Sequence, residues 1–143
     1  MPRSSLLCCD ANVVVHFVTG ADGGAAQELW RQWRAERRRV IAPLLLCYEV
    51  TNALHRLRRS GQATDAGVAE YLRIALMMPI EYATEHSLHD RAMQMAFRFN
   101  RPASYDAHYL ALSEREGAEF WTADQRLYNS VHHHLPWVYL LGG

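Results

Sequence analysis

Leu-Leu-Cys-Cys-Asp-Ala-Asn-Val-Val-Val, residues 6–15, sets a short apolar run, an acid and a valine-rich run side by side. Residues 5–9 read as a short strand ending at Asp10, and residues 13–18 as a helical turn that stops at the break formed by Gly20, Gly23 and Gly24. The same alternation runs outward from there. A helix is expected over 25–37 and a brief strand at Val40 and Ile41. A second helix then reaches Arg59, with Pro43 well placed as its first residue and Ser60 and Gly61 closing it. Thr64 or Asp65 caps a helix running to 78, 79–83 reads as a strand, 84–99 as a helix, and 104–116 as another helix ended by Gly117. Residues 119–122 form a strand, Asp124 opens a short helix, and 137–141 is the last strand. No repeat, linker or low-complexity segment interrupts the pattern. Residues 1–143 therefore read as a single α/β domain, a largely parallel central sheet with helices on both faces. Ligands of such sheets bind beyond the carboxyl ends of the strands.

The chain has 143 residues, half of them hydrophobic, which is enough to bury a core without metals or disulfides. Its three cysteines, Cys8, Cys9 and Cys47, lie in apolar runs, are odd in number and form no CxxC spacing. They read as core thiols of a reducing, cytoplasmic compartment rather than as zinc ligands. The apolar run at 6–9 is too short for a signal peptide, and no stretch is expected to span a membrane. Net charge is zero, so any attraction to a polyanion must come from local patches. Every basic residue apart from histidine is arginine. They cluster as Arg31, Arg34, Arg37, Arg38, Arg39 and as Arg56, Arg58, Arg59, which suits phosphate contact or a solvated helix end.

Four acids, Asp10, Glu49, Asp106 and Asp124, each stand at the polar end or edge of an apolar segment. Carboxylates at strand ends and helix starts can converge at one sheet edge, and convergence demands a cation. Two of them about 4 Å apart at an effective dielectric near 20 repel by roughly 4 kcal/mol. Asp10 and Asp124 also suit helix N-caps, and Asp106 suits a helix first turn. Glu49 has no capping explanation. Leu46, Val50, Ala53, Leu54 and Leu57 form the apolar face of its helix, and Glu49 lies about 60° from Leu46, at the margin of that stripe. It is expected to be partly buried and to need a partner, and no arginine stands three or four residues away.

The strings LLCCDANVVV, YEVTNALHRL, SYDAHYLALSE and TADQRLY, in this order and spacing, resemble the PIN domain, specifically its VapC-type toxin ribonucleases. The resemblance covers nearly the whole chain. It implies a PIN-like, Rossmann-like parallel sheet flanked by helices, a homodimer, and an acidic pocket that binds Mg²⁺ or Mn²⁺ and hydrolyses RNA. By motif, Asp10, Glu49, Asp106 and Asp124 form the acidic site, Asp10 and Asp106 ligating metal directly and the other two through water. The toxin reading also implies a cognate antitoxin protein presenting an arginine to the acids. Two positions depart from the family pattern. Asn12 stands where such toxins commonly carry serine, and Gln125 and Arg126 follow Asp124, so this segment supplies one acid and the number of ions, one or two, stays open.

The expected chemistry is metal-assisted phosphodiester hydrolysis, with Asp124 or Glu49 positioning or deprotonating a water and with Asn12, Asn52 and Thr122 supporting the carboxylates. His132, His133 and His134 are consecutive and fan apart, so they read as a surface loop, and His108 as structural. Trp30, Trp33, Trp121 and Trp137 read as core or dimer contacts. A phospho-receiver domain and a haloacid-dehalogenase-type phosphatase both need a lysine that the chain lacks. The remaining alternative is a non-catalytic PIN-like module that binds RNA or protein.

Overall fold

A computed structural model describes residues 4–142, and residues 1–3 and 143 lie outside them. Strand β1 (Leu6–Cys9) is the hub of a five-stranded sheet with β2 (Arg39–Pro43), β3 (Ile80–Ala83), β4 (Glu119–Thr122) and β5 (Val138–Leu140), in the order β3-β2-β1-β4-β5. All four pairings are parallel. Successive strand residues point to opposite faces, and Leu7, Cys8 and Cys9 are all fully buried, so helices cover both faces of the hub. The α/β class with a central parallel sheet is thus the observed one.

The helices are α1 (Ala11–Thr19), α2 (Ala25–Ala35), α3 (Leu45–Arg59), α4 (Asp65–Met77), α5 (Leu88–Arg98), α6 (Tyr105–Glu116) and α7 (Gln125–Val131). Three differ from the sequence reading for local reasons. Helix α1 begins directly after Asp10, because Val13 and Val14 are both buried and continue its inward face from the first turn. Pro43 ends β2 rather than starting α3. It lacks an N–H, but it sits at the last ladder position opposite Ala83, and the next residue, Leu44, donates to the Ala83 carbonyl at 3.1 Å. Helix α5 starts at Leu88 rather than at Thr84, because residues 84–87 are exposed and offer nothing to bury.

Tryptophan fills one side of the core. Trp30 meets Trp33 edge-on, Trp33 meets Trp121 in the same way, and Trp121 stacks on Tyr139. The three cysteines are free thiols, two of them buried. The chain moves outward from β1 through β2 to β3, then returns to the other side of β1 with β4. The order therefore reverses between β1 and β4, and a crevice at the carboxyl ends of those two strands is where such sheets bind ligands.

Candidate active site

Asp10 follows β1 at that reversal and is 5% exposed. It takes extended backbone and caps α1, its Oδ1 accepting the Ala11 N–H at 2.8 Å, while its own N–H donates to the Trp121 carbonyl of β4. Its Oδ2 accepts the Thr122 hydroxyl at 2.9 Å and, at 3.4 Å, the Asn12 side-chain amide. Asn12 also reaches β4 through its Oδ1, which accepts the Ala123 N–H at 2.9 Å. Burial raises the Asp10 pKa, the Asp106 carboxylate raises it further, and Glu49 adds to the push. The bonds from Thr122 and Ala11 pull the other way, and the net is a carboxyl pushed up to about 7.

Glu49 and Asp106 are therefore the charges felt by Asp10, although 39 and 96 positions separate them from it in the chain. Glu49 is half-buried on α3, as its place on the helix predicts, and its Oε1 accepts the Tyr109 hydroxyl of α6 at 2.6 Å. Burial raises its pKa, the Tyr109 bond lowers it, Asp106 raises it again, and His108 lowers it. Asp106 lies in the first turn of α6, and its Oδ2 accepts from Arg101 Nη2 at 3.1 Å.

Asp124 is placed differently. It caps α7, with Oδ1 accepting both the Arg126 and Leu127 N–H groups, and its own N–H donates to Thr122 Oγ1 at 3.0 Å. The Thr122 hydroxyl thus joins the Asp124 backbone to the Asp10 carboxylate. Asn52 is exposed on α3, and among the described residues it makes no hydrogen bond to a carboxylate. The arrangement gathers Asp10, Glu49, Asp106, Asn12 and Thr122, holds Asp124 beside them by its backbone, and leaves Asn52 outside the hydrogen-bond network.

The donor set fits a hard divalent cation. It is all oxygen, it carries excess negative charge, and its most buried member is driven toward protonation by burial first and by Asp106 and Glu49 in addition, a cost that a cation relieves. Among the described residues no three histidine, cysteine or acidic side chains already close around one point. Mg²⁺ requires no such cage, since it takes one or two carboxylates and keeps several waters.

Two residues of the site escaped the sequence reading. Tyr109, fully buried beneath Glu49, is the partner that Glu49 needs, and a tertiary contact between α3 and α6 leaves no local signal. Arg101 links Asp106 to Ser130 of α7, its Nη1 donating to Ser130 Oγ at 2.9 Å, and its side chain is nine-tenths buried. It is aimed by the end of α5. Asn100 takes the left-handed conformation at φ 50°, and the Arg101 N–H returns to the Ala96 carbonyl at 2.9 Å. His108, read as structural, donates from Nδ1 to the Ser104 carbonyl, which leaves Nε2 to accept from His89 at 2.9 Å.

Comparison with known proteins agrees with this picture. The family model described as PIN domain matches residues 7–131. Among solved structures, PAE2754 from Pyrobaculum aerophilum superposes with a TM-score of 0.62 at 21% identity, covering 87% of this chain and 86% of that one. VapC20 from Mycobacterium tuberculosis, described as a sarcin-ricin loop cleaving toxin, gives 0.61 at 15% identity, covering 81% and 86%. At these identities the likeness is one of fold. No curated protein gives a significant sequence match.

Proposed function

This chain belongs to the PIN domain family, and from that premise we propose that it is a Mg²⁺- or Mn²⁺-dependent endoribonuclease, the toxic component of a toxin–antitoxin pair. PIN domains are generally nucleases that use divalent metals. The observation that carries the reading is the buried Asp10, pressed by Asp106 and Glu49 at the sheet's reversal point. A structural relative described as a sarcin-ricin loop cleaving toxin supports RNA as the substrate and a toxin's role. The reading extends to a cytoplasmic homodimer held in check by a cognate antitoxin protein. No described helix is long and apolar enough to cross a membrane.

Asp10 and Asp106 are assigned as direct metal ligands. The ion, when bound, supplies Lewis-acid polarisation of a phosphate oxygen and lowers the pKa of a water. Thr122 and Asn12 hold Asp10 Oδ2 in place, so a single orientation of that carboxylate faces the crevice. Glu49 keeps Oε2 for the attacking water, because Oε1 is taken by Tyr109. Its raised pKa suits it to accept that water's proton as the new P–O bond forms and a backbone P–O bond breaks. Asp124, whose Oδ1 is committed to the α7 cap, contributes through water.

The test is cleavage of RNA by the purified protein with Mg²⁺ or Mn²⁺, with chelator, and in Asp10→Asn and Asp106→Asn variants. Cleavage is expected only from the wild type with metal. Equal cleavage by all three proteins ends the nuclease assignment.

A further inference from the structure

Each site acid carried on a helix is preceded in the chain by a tyrosine that faces solvent. Tyr48 stands before Glu49 and is 70% exposed, and Tyr105 stands before Asp106 and is 61% exposed. Consecutive helical residues point about 100° apart, so the acid turns toward the cluster while its neighbour turns out beside it. Both tyrosines line one groove of about 450 Å³ with Leu45, Glu49, Asn52 and Arg56. Among the described residues neither tyrosine hydroxyl has a hydrogen-bond partner, Asn52 has none, and Arg56 has no ion pair.

Tyr48, Asn52 and Arg56 are spaced four apart on α3, so they form one stripe rising about 6 Å per step away from the acids. Along that stripe the chemistry changes in order. An aromatic face comes first, then a side-chain amide with both donor and acceptor free, then an unpaired guanidinium. Stacking on aromatic faces, reading of base edges by amides and contact of arginine with phosphate are the three means by which proteins hold unpaired nucleotides. Single-stranded RNA answers Arg56 with phosphate and brings its backbone to the acids.

We propose that the Tyr48–Tyr105 groove is a nucleotide subsite, in which the two tyrosines stack bases of single-stranded RNA flanking the scissile phosphate, Asn52 contacts a base edge and Arg56 a phosphate. The inference rests on the ribonuclease reading and deepens it, by assigning the residues that hold the nucleotides beside the scissile phosphate. It also gives Asn52 a role different from orienting the carboxylates.

The experiment is fluorescence anisotropy of a labelled 12-nucleotide single-stranded RNA of mixed sequence, with a duplex RNA of equal length beside it, in chelator so that no cleavage intervenes. Cleavage with Mn²⁺ is followed in parallel. Tyr48→Ala and Tyr105→Ala are each expected to weaken single-strand binding about five- to a hundredfold. Tyr48→Phe and Tyr105→Phe should restore it, and duplex binding should move in neither. Arg56→Gln should reduce the slope of log affinity against log salt by about 0.7, the loss of one single-strand phosphate contact. Both tyrosines are largely exposed, so the alanine variants should melt like the wild type. A wild type that binds and cleaves while both alanine variants bind as well as it does overturns the subsite and leaves the nuclease standing. Loss of binding that phenylalanine does not restore overturns stacking. A wild type that neither binds nor cleaves RNA removes the nuclease reading itself.

Discussion

The two edges of the sheet each hold a buried arginine against a carboxylate, and both arginines are delivered by the same turn. At the amino edge α2 ends with Arg37 in the left-handed conformation at φ 56°, and the Arg38 N–H returns to the Trp33 carbonyl. At the carboxyl edge α5 ends in the same manner at Asn100, followed by Arg101. The charge balance differs. Arg38 Nη2 lies 2.8 Å from Glu119, its Nε donates to the Ser4 carbonyl, and Glu119 also accepts from the Trp121 indole, so one cation meets one anion with both side chains more than nine-tenths buried. Arg101 meets Asp106, while Asp106 and Glu49 press on Asp10 and Asp106 presses on Glu49, and among the described residues neither Asp10 nor Glu49 has an arginine of its own. Burying a charge is tolerable where it is matched. The unmatched charge, and not burial itself, distinguishes the functional edge.

The comparison breaks most visibly if the carboxyl edge can be neutralised without consequence. Asp10→Asn and Asp106→Asn are expected to lower metal-dependent cleavage on the order of a thousandfold or more, since a bound ion contributes several kcal/mol to the transition state and each 1.4 kcal/mol is tenfold. Asp10→Asn should not lower the melting temperature of the metal-free protein at pH 8, because it removes repulsion, whereas Asp106→Asn should lower it modestly, because it leaves the buried Arg101 without its anion. Single-turnover rates with calorimetry on the same samples separate the two. A variant that keeps its rate, or that fails to fold, sinks the assignment.

At the amino edge the expectation reverses. Arg38→Met should cost about 3–5 kcal/mol of stability, because Glu119 is left charged and buried, and Arg38→Met with Glu119→Leu should recover most of that. Arg101→Met should cost less, about 1–2 kcal/mol, because Asp106 is 28% exposed. Mn²⁺ should then stabilise Arg101→Met more than the wild type, the ion supplying the missing charge. Denaturant titrations with and without Mn²⁺ measure all of this, and equal losses for the two arginines would erase the distinction between the edges.

The sheet and most of the acids were legible because their signals are local. Short apolar runs ending in an acid mark the strand ends at Asp10 and Asp124, and helical periodicity places Glu49 at the edge of a buried stripe. The misreadings share a cause. Pro43 looks like a helix opener until its ladder partner Ala83 is known, and residues 84–87 look helical until nothing is found for them to bury. Arg101 was invisible because its aim depends on a left-handed residue that is asparagine rather than glycine, so the turn leaves no glycine to mark it. Tyr109 was unreadable as the partner of Glu49, since only tertiary packing brings α3 and α6 together.

The unmatched charge also predicts how stability depends on pH. The folded pKa of Asp10, about 7, lies above its ordinary value of 3.8. Below about pH 4 both folded and unfolded chains are protonated there and nothing is lost. Between about 4 and 7 the folded chain keeps a proton that the unfolded chain has released, so stability falls as pH rises, and above 7 the penalty is complete. Its size is on the order of 4 kcal/mol, and the raised pKa of Glu49 acts in the same direction. Metal-free protein should therefore melt at a lower temperature at pH 8 than at pH 5, and Asp10→Asn or added Mn²⁺ should flatten the trend. A melting temperature that climbs across this range would show that Asp10 is matched after all.

Asp124 gives the smallest expected effect and the sharpest division between cap and acid. Its Oδ1 accepts two N–H groups at the start of α7, which asparagine reproduces and alanine does not. Asp124→Ala should cost about 1 kcal/mol of stability, and Asp124→Asn only a few tenths. If Asp124 acts through water, Asp124→Asn should keep the stability and lower cleavage about tenfold, well short of the loss at Asp10. A thousandfold loss in Asp124→Asn would place this carboxylate among the direct ligands and move the edge of the unmatched charge outward from β1 to the start of α7. An unchanged rate would leave it a helix cap, and the functional charge would then rest with Asp10, Glu49 and Asp106.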